Sequence, residues 1–197
     1  MTPKRLLIAA VLLATAGLLV VGLAELGDSS ASAPRATRLS AAQMQARLAG
    51  SPAPLAGLHA QASEVLGGGL SALRGRLAQL RSRPMVINKW ASWCEPCRAE
   101  FGVFQRVSLA RGREVAFLGI DSGDSSRAAA VAFLRSFPLS YPSYFDRSGT
   151  AGAAITSSTF TPVTVFRNSS GGEYIHQGPY SSVAELERDV ARYALGA

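Results

Sequence analysis

The chain has 197 residues, enough for one ordinary domain with some chain left over. An apolar fraction of 48% excludes a disordered polymer. The net charge of +7 is carried almost wholly by arginines scattered from Arg5 to Arg192. With no dense basic run and no interleaved aromatics, it argues against a nucleic-acid binder and for a solvated basic surface near an anionic membrane.

Lys4 and Arg5 precede an unbroken apolar run from Leu6 to Ala24, and Glu25 and Asp28 follow it. At about 1.5 Å per helical residue the run is long enough to cross a hydrocarbon core of roughly 30 Å. The charge asymmetry places the N-terminus in the cytoplasm and the remainder outside. Residues 1–27 therefore read as a single-pass signal-anchor. The competing reading is a cleaved signal peptide, with "ASA" at residues 31–33 as the cleavage site. The run exceeds the usual length of a signal-peptide core, and Pro34 would sit just after the cut, so the anchor is preferred. Under either reading the working part lies outside the cytoplasm, and no lipid-attachment cysteine is present.

Residues 28–55 read as a tether with a short helix beginning at Ser40. The stretch through Gly69, with its glycines and prolines, argues against any long element, and the domain proper is placed at residues 56–197. From Leu70 the pattern sharpens. Leu70, Leu73, Leu77 and Leu80 recur at helical spacing, and "PMVINKWA" reads as a buried strand. "PCRAEFGVFQRVSLARG" is a helix opened by proline and closed near glycine. "EVAFLGID" is a second strand, and "SSRAAAVAFLRSF" a helix that Pro138 ends. A turn or short helix spans Gly149 to Ile155. "TPVTVFRN", "SSGG" and "EYIHQG" form a hairpin, and "SVAELERDVARYAL" is a final amphipathic helix. This order fits a three-layer α/β domain with a mixed central sheet.

Both cysteines lie in "WCEPC", at the junction of a strand and a helix. Unpaired N–H groups and the positive end of the helix dipole favour a thiolate there. Cys94 is expected at the exposed tip and Cys97 about one turn further in, with Pro96 in the first helical turn. Such a pair can exchange disulfides: Cys94 attacks a partner disulfide, and Cys97 resolves the mixed disulfide. A structural staple is disfavoured because so short a loop gains little entropy. Zinc is disfavoured because only His59 and His176 could join the cysteines, and neither has ligand-like spacing. His176 reads as a surface or satisfied sheet residue, and His59 receives no role. No cofactor other than the Cys94–Cys97 redox disulfide is implied, since there is neither a P-loop nor a dinucleotide fingerprint.

With these motifs in place, the region of residues 70–195 resembles the thioredoxin superfamily. It is most similar to its membrane-anchored TlpA/ResA-type thiol–disulfide oxidoreductases, through "VINKWASWCEPCRAEF" and "TPVTVFRNSSGGEYIHQG". The resemblance implies a thioredoxin-like fold and a cis-proline at Pro162 facing the cysteines. Thr161 would lie beside the disulfide and offer its backbone to an extended substrate, and Trp93 would border the cysteines. Glu100, three residues after Cys97, matches an acid that the ResA-like proteins keep for proton handling and substrate choice. Without the family, Glu100 is equally a first-turn glutamate on the helix dipole, and Pro162 an ordinary strand-start proline. Glu95 should raise the Cys94 pKa and make the pair a reductant or mild exchanger. Cytoplasmic thioredoxins carry a buried aspartate where this chain has Asn88. Lys89 stands where an apolar aromatic is usual, and if it points into the core the strand register is in error.

The resemblance further implies reduction of disulfides in exported proteins such as apocytochrome c, fed by a polytopic membrane electron donor. The alternatives are an extracytoplasmic disulfide oxidase and a thiol peroxidase on the same fold. The peroxidase is disfavoured because Ala91 stands where a threonine is usual, and a metal carrier because its cysteines are typically wider-spaced.

Overall fold

A computed structural model of the protein describes residues 38–197. The expected anchor at residues 6–24 and the start of the tether lie outside the described residues. Among those described, no helix is long and apolar enough to cross a membrane.

In chain order the elements are α1 (Ala41–Arg47), α2 (Ala53–His59), β1 (Val65–Leu66), α3 (Gly69–Leu80), β2 (Met85–Trp90) and α4 (Glu95–Arg111). Then follow β3 (Ala116–Ser122), α5 (Arg127–Ser136), β4 (Ser143–Asp146), α6 (Thr150–Ile155), β5 (Val163–Arg167), β6 (Glu173–Gln177) and α7 (Val183–Asp189). A π-helical stretch, Val190–Leu195, continues α7. The strands form one sheet in the order β1-β4-β3-β2-β5-β6. β2 pairs parallel with β3 and antiparallel with β5, so the sheet is mixed.

Side chains of successive strand residues point to opposite faces, and both faces are covered. Val86, Trp90, Phe117 and Phe166 face a core with α4, α5 and α7, which supply Phe101, Phe104, Phe133 and Leu186. Met85, Ile87, Leu118, Ile120, Val163 and Val165 face the other, with Leu55, Leu58, Leu73, Leu80 and Ile155 from α2, α3 and α6. The result is a helix–sheet–helix sandwich. Each fully buried large apolar side chain contributes about 1.5–3 kcal/mol.

Three differences from the sequence reading have physical causes. β1 and β4 add two strands: the first has two residues and the second sits in "SYPSYFD", too short for alternation to register. Residues 40–55 do more than tether. Ser40 and Gln43 form a reciprocal capping box that starts α1, and Met44, Leu48 and Leu55 are buried. They belong to the same compact unit as the rest of the described residues. Lys89 is only 6% exposed, yet β2 keeps the expected register, because its buried ammonium finds a partner in the Ser158 carbonyl at 2.7 Å.

At the sheet centre the Trp90 indole N–H donates to Ser143 Oγ at 3.1 Å. Gly119 makes room for this bond. A Cβ there would lie 2.1 Å from Ser143 Oγ and 3.0 Å from Trp90 Nε1.

Candidate active site

β2 lies where the parallel part of the sheet meets the antiparallel part, between β3 and β5, and its C-terminal end delivers the chain into the loop before α4. Cys94 is the N-cap of α4, in extended conformation, and its Sγ accepts the Cys97 N–H at 3.1 Å. Cys94 and Cys97 form a disulfide, with Cα atoms 5.3 Å apart. Pro96 sits in the first turn, where the helix needs no N–H from it, and faces solvent.

Cys94 is not at an exposed tip. It is only 3% accessible and Cys97 is fully buried. The N-cap conformation turns the sulfur inward onto the helix, and Trp93 takes the exposed position, at 65%. The Trp93 indole N–H donates to the Gly123 carbonyl at 3.4 Å, tying the active-site loop to the end of β3. The side chain of Glu95 is 83% exposed and lies 3.6 Å from the Arg98 guanidinium. Its charge is therefore met by solvent and by Arg98 rather than directed at Cys94.

The Thr161–Pro162 peptide bond is cis, and Pro162 is buried. β5 pairs with β2 from Lys89 opposite Val163. Continuing that register brings Pro162 level with Trp90 and Thr161 level with Ala91, beside the loop that carries the cysteines.

Glu100 is fully buried one helical turn after Cys97. One carboxyl oxygen accepts from Asn88 Nδ2 at 2.9 Å, the other from the Tyr180 backbone N–H at 3.1 Å. Burial pushes its pKa up to about 8, and these two hydrogen bonds only partly offset that. Asn88 suits an acid that titrates. Its Nδ2 serves the carboxylate, while its buried Oδ1, otherwise without a partner, can accept the acid proton when the amide turns over.

The sequence reading missed two groups of residues. Asp121, at the end of β3, is completely buried, and burial followed by the Asp124 and Asp146 carboxylates pushes its pKa up to about 9. Asp124 accepts from the Ser92 N–H at 3.1 Å and from the Ser92 hydroxyl at 3.0 Å, fixing the loop just before Trp93. The motif "GIDSGD" shows two acids but not that both turn inward. The second group joins distant elements. The Tyr180 hydroxyl donates to Asp189 Oδ2 at 2.9 Å, and its ring stacks on His176 at 4.1 Å. His176 Nδ1 lies 4.0 Å from the same carboxylate oxygen. His59 is buried away from the cysteines, and desolvation lowers its pKa. Among the described residues no cluster of three or more histidine, cysteine or acidic side chains could hold a metal ion.

The chain has relatives of similar sequence and fold among known proteins. No protein-family model matches the chain. A solved secreted disulfide oxidoreductase of Mycobacterium tuberculosis, homologous to Escherichia coli DsbE, is 27% identical. It superposes with a TM-score of 0.53 over 58% of this chain and 84% of that one. The thiol-disulfide oxidoreductase ResA of Bacillus subtilis is 27% identical over 74 residues, 37% of this chain and 41% of its own. The thiol:disulfide interchange protein DsbE of Pseudomonas fluorescens is 36% identical over 64 residues, 32% of this chain and 34% of its own. The chain is similar in sequence and fold to TlpA/ResA-like thiol–disulfide oxidoreductases of the thioredoxin superfamily. It spans about half the length, or less, of the curated relatives it matches. In this chain β2 and β5, paired antiparallel, bring the CxxC pair and the cis-proline loop to the same end of the sheet.

Proposed function

We propose that this thioredoxin-superfamily protein is a thiol–disulfide oxidoreductase that reduces disulfides in exported proteins. The observation that carries the reading is the Cys94–Cys97 disulfide at the N-terminus of α4, with the buried carboxyl of Glu100 one turn behind it. In the reduced form, the Cys97 N–H that now meets Cys94 Sγ would stabilise a Cys94 thiolate. That thiolate attacks one sulfur of a substrate disulfide, and the other substrate sulfur leaves as a thiolate. Cys97 then loses its proton and attacks Cys94 Sγ. The mixed disulfide breaks, the second substrate thiolate departs, and two electrons have passed from the dithiol to the substrate. A carboxyl titrating near 8 can both take and return a proton near neutral pH, which suits Glu100 to serve Cys97.

The proposed setting is the outer face of a bacterial cell membrane, with residues 6–24 as a single-pass anchor and a polytopic membrane protein as electron donor. The apolar run and its flanking charges support the anchor. The TlpA/ResA likeness supports an extracytoplasmic substrate such as apocytochrome c. The test is the reduction potential of the full chain, by thiol trapping across glutathione buffers. A value near or below about −220 mV, with Cys94 trapped first, is expected of a reductase that needs an electron feed. A value nearer about −120 mV makes the protein an oxidase, and a pair that never titrates leaves only a staple.

A further inference from the structure

Lys89 stands in β2 where the resemblance leads one to expect an apolar aromatic, and the fold gives it a built path. Its stem leaves β2 on the face covered by α6 and passes Gly152, where a Cβ would lie 3.1 Å from the Lys89 Cδ. Asp146 stands nearby as the counter-charge and is itself held by the Gly152 N–H at 2.7 Å and the Ser122 hydroxyl at 3.2 Å. The ammonium ends on the Ser158 carbonyl at 2.7 Å. Burying a cation is costly, and an apolar side chain would fill this position without that cost. The cation therefore needs a reason, and the segment it grips supplies one.

Ser158 lies in the loop that leads into Thr161–Pro162. Two short bonds shape that loop: the Ser158 N–H donates to Thr156 Oγ1 at 3.1 Å, and the Phe160 N–H to Ser158 Oγ at 3.3 Å. Both depend on where Ser158 is held. The loop carries Phe160 into solvent at 65% exposure, the same as Trp93. The other large exposed apolar side chains among the described residues, Tyr174, Ile175 and Leu195, belong to β6 and the C-terminal π-helical stretch. Trp93 precedes Cys94, and Phe160 stands two residues before Pro162, so both belong to the segments bordering the disulfide. Exposed aromatic surface at such a place fits an apolar side chain beside the reacting cysteine of an incoming polypeptide.

We propose that Lys89 is a positioning residue, holding the loop 156–162 through Ser158 so that Phe160 receives an apolar side chain next to the substrate's cysteine. This inference rests on the oxidoreductase reading. The test is single-turnover oxidation of the pre-reduced full chain by two peptides. Each has one intramolecular disulfide, and they differ only in a leucine or a glutamate beside the first cysteine; hydroxyethyl disulfide is the small control. For Lys89→Met and for Phe160→Ala, the half-saturating concentration of the leucine peptide is expected to rise about tenfold, with the limiting rate kept within about twofold. The glutamate peptide and the small disulfide should be unaffected, and the double variant should be no worse than either single one. A merely structural loss at Lys89 would slow all three substrates together and would overturn the proposal. Phe160 is exposed and does not bear on folding, so an unchanged half-saturation in Phe160→Ala overturns it even if Lys89→Met fails to fold. A wild-type chain that oxidises with neither peptide nor the small disulfide would overturn the oxidoreductase reading itself. Turnover by wild type with no shift in either variant would overturn only the role of the loop.

Discussion

Replacing Glu100 by glutamine should change how the fold responds to pH. In the unfolded chain this carboxyl ionises at its ordinary value of 4.5, whereas burial holds the proton on it to about 8 in the folded protein. Between those values the folded state binds one proton more than the unfolded state, so stability falls as pH rises, by about 1.4 kcal/mol per pH unit. The stabilising side of this linkage is fully present below 4.5, is lost through the window up to about 8, and is flat beyond it. Across that window Glu100 costs the wild type on the order of 5 kcal/mol relative to a residue that does not titrate. Glutamine is such a residue, and it fits. Its oxygen can keep the Tyr180 N–H, and its amide can donate to Asn88 Oδ1, which otherwise lacks a partner. Asp121 drives stability in the same direction, but it is present in both proteins and cancels in the difference. The assay is urea unfolding of the oxidised wild-type and Glu100→Gln chains at pH 5, 6.5 and 8, followed by tryptophan fluorescence. The variant should gain on the wild type steadily with pH and be the more stable of the two at pH 8. A difference that stays constant to within about 0.5 kcal/mol across the range would refute the raised pKa and the proton-handling role built on it.

Three further outcomes are expected. Gly119→Ala puts a methyl group against Ser143 Oγ and displaces it from the Trp90 indole, so chemical denaturation should show a loss of about 2–4 kcal/mol. Tyr180→Phe removes the hydroxyl that donates to the buried Asp189 carboxylate, and the same measurement should show a loss of about 1–2 kcal/mol. Asp124→Asn takes away a negative charge that adds to burial in keeping Asp121 protonated, so a carboxyl-carbon NMR titration should find Asp121 ionising at lower pH in the variant than in the wild type.

What the sequence discloses depends on whether the signal is local. The cysteine pair, the strand before it and the amphipathic faces of α3, α4 and α5 are carried by neighbouring residues, and they could be read directly. Glu100 was visible as a position but not as a buried acid. Its burial comes from Asn88 on β2 and Tyr180 in the loop before α7, both distant in sequence. Asp121 was hidden in the same way, since an aspartate at a strand end ordinarily faces water. The inward turn of Cys94 is a matter of one N-cap torsion, which spacing does not encode. β1 is too short to have a period, and it exists only because β4 offers it an edge. Lys89 looked like a fault in the strand because the carbonyl that receives it is supplied 69 residues later.

The pairing of β1 with β4 has a consequence for how the chain is made. Val65 and Leu66 meet Ser143 and Tyr144. The Ser63 N–H reaches the Tyr141 carbonyl, the Ser63 hydroxyl the Leu139 carbonyl, and the Arg127 guanidinium the Val65 carbonyl. These long-range anchors of the early segment are therefore synthesised much later than the segment itself. At about 5–20 residues per second, the ribosome needs roughly 4–16 s to produce β4 after β1. For those seconds Val65, buried in the folded protein, lacks its strand partner. This places the burden of protection during biosynthesis on the first part of the domain, far in sequence from the cysteines. A holdase that binds apolar segments should find its preferred site there, and release it when residues 139–146 emerge.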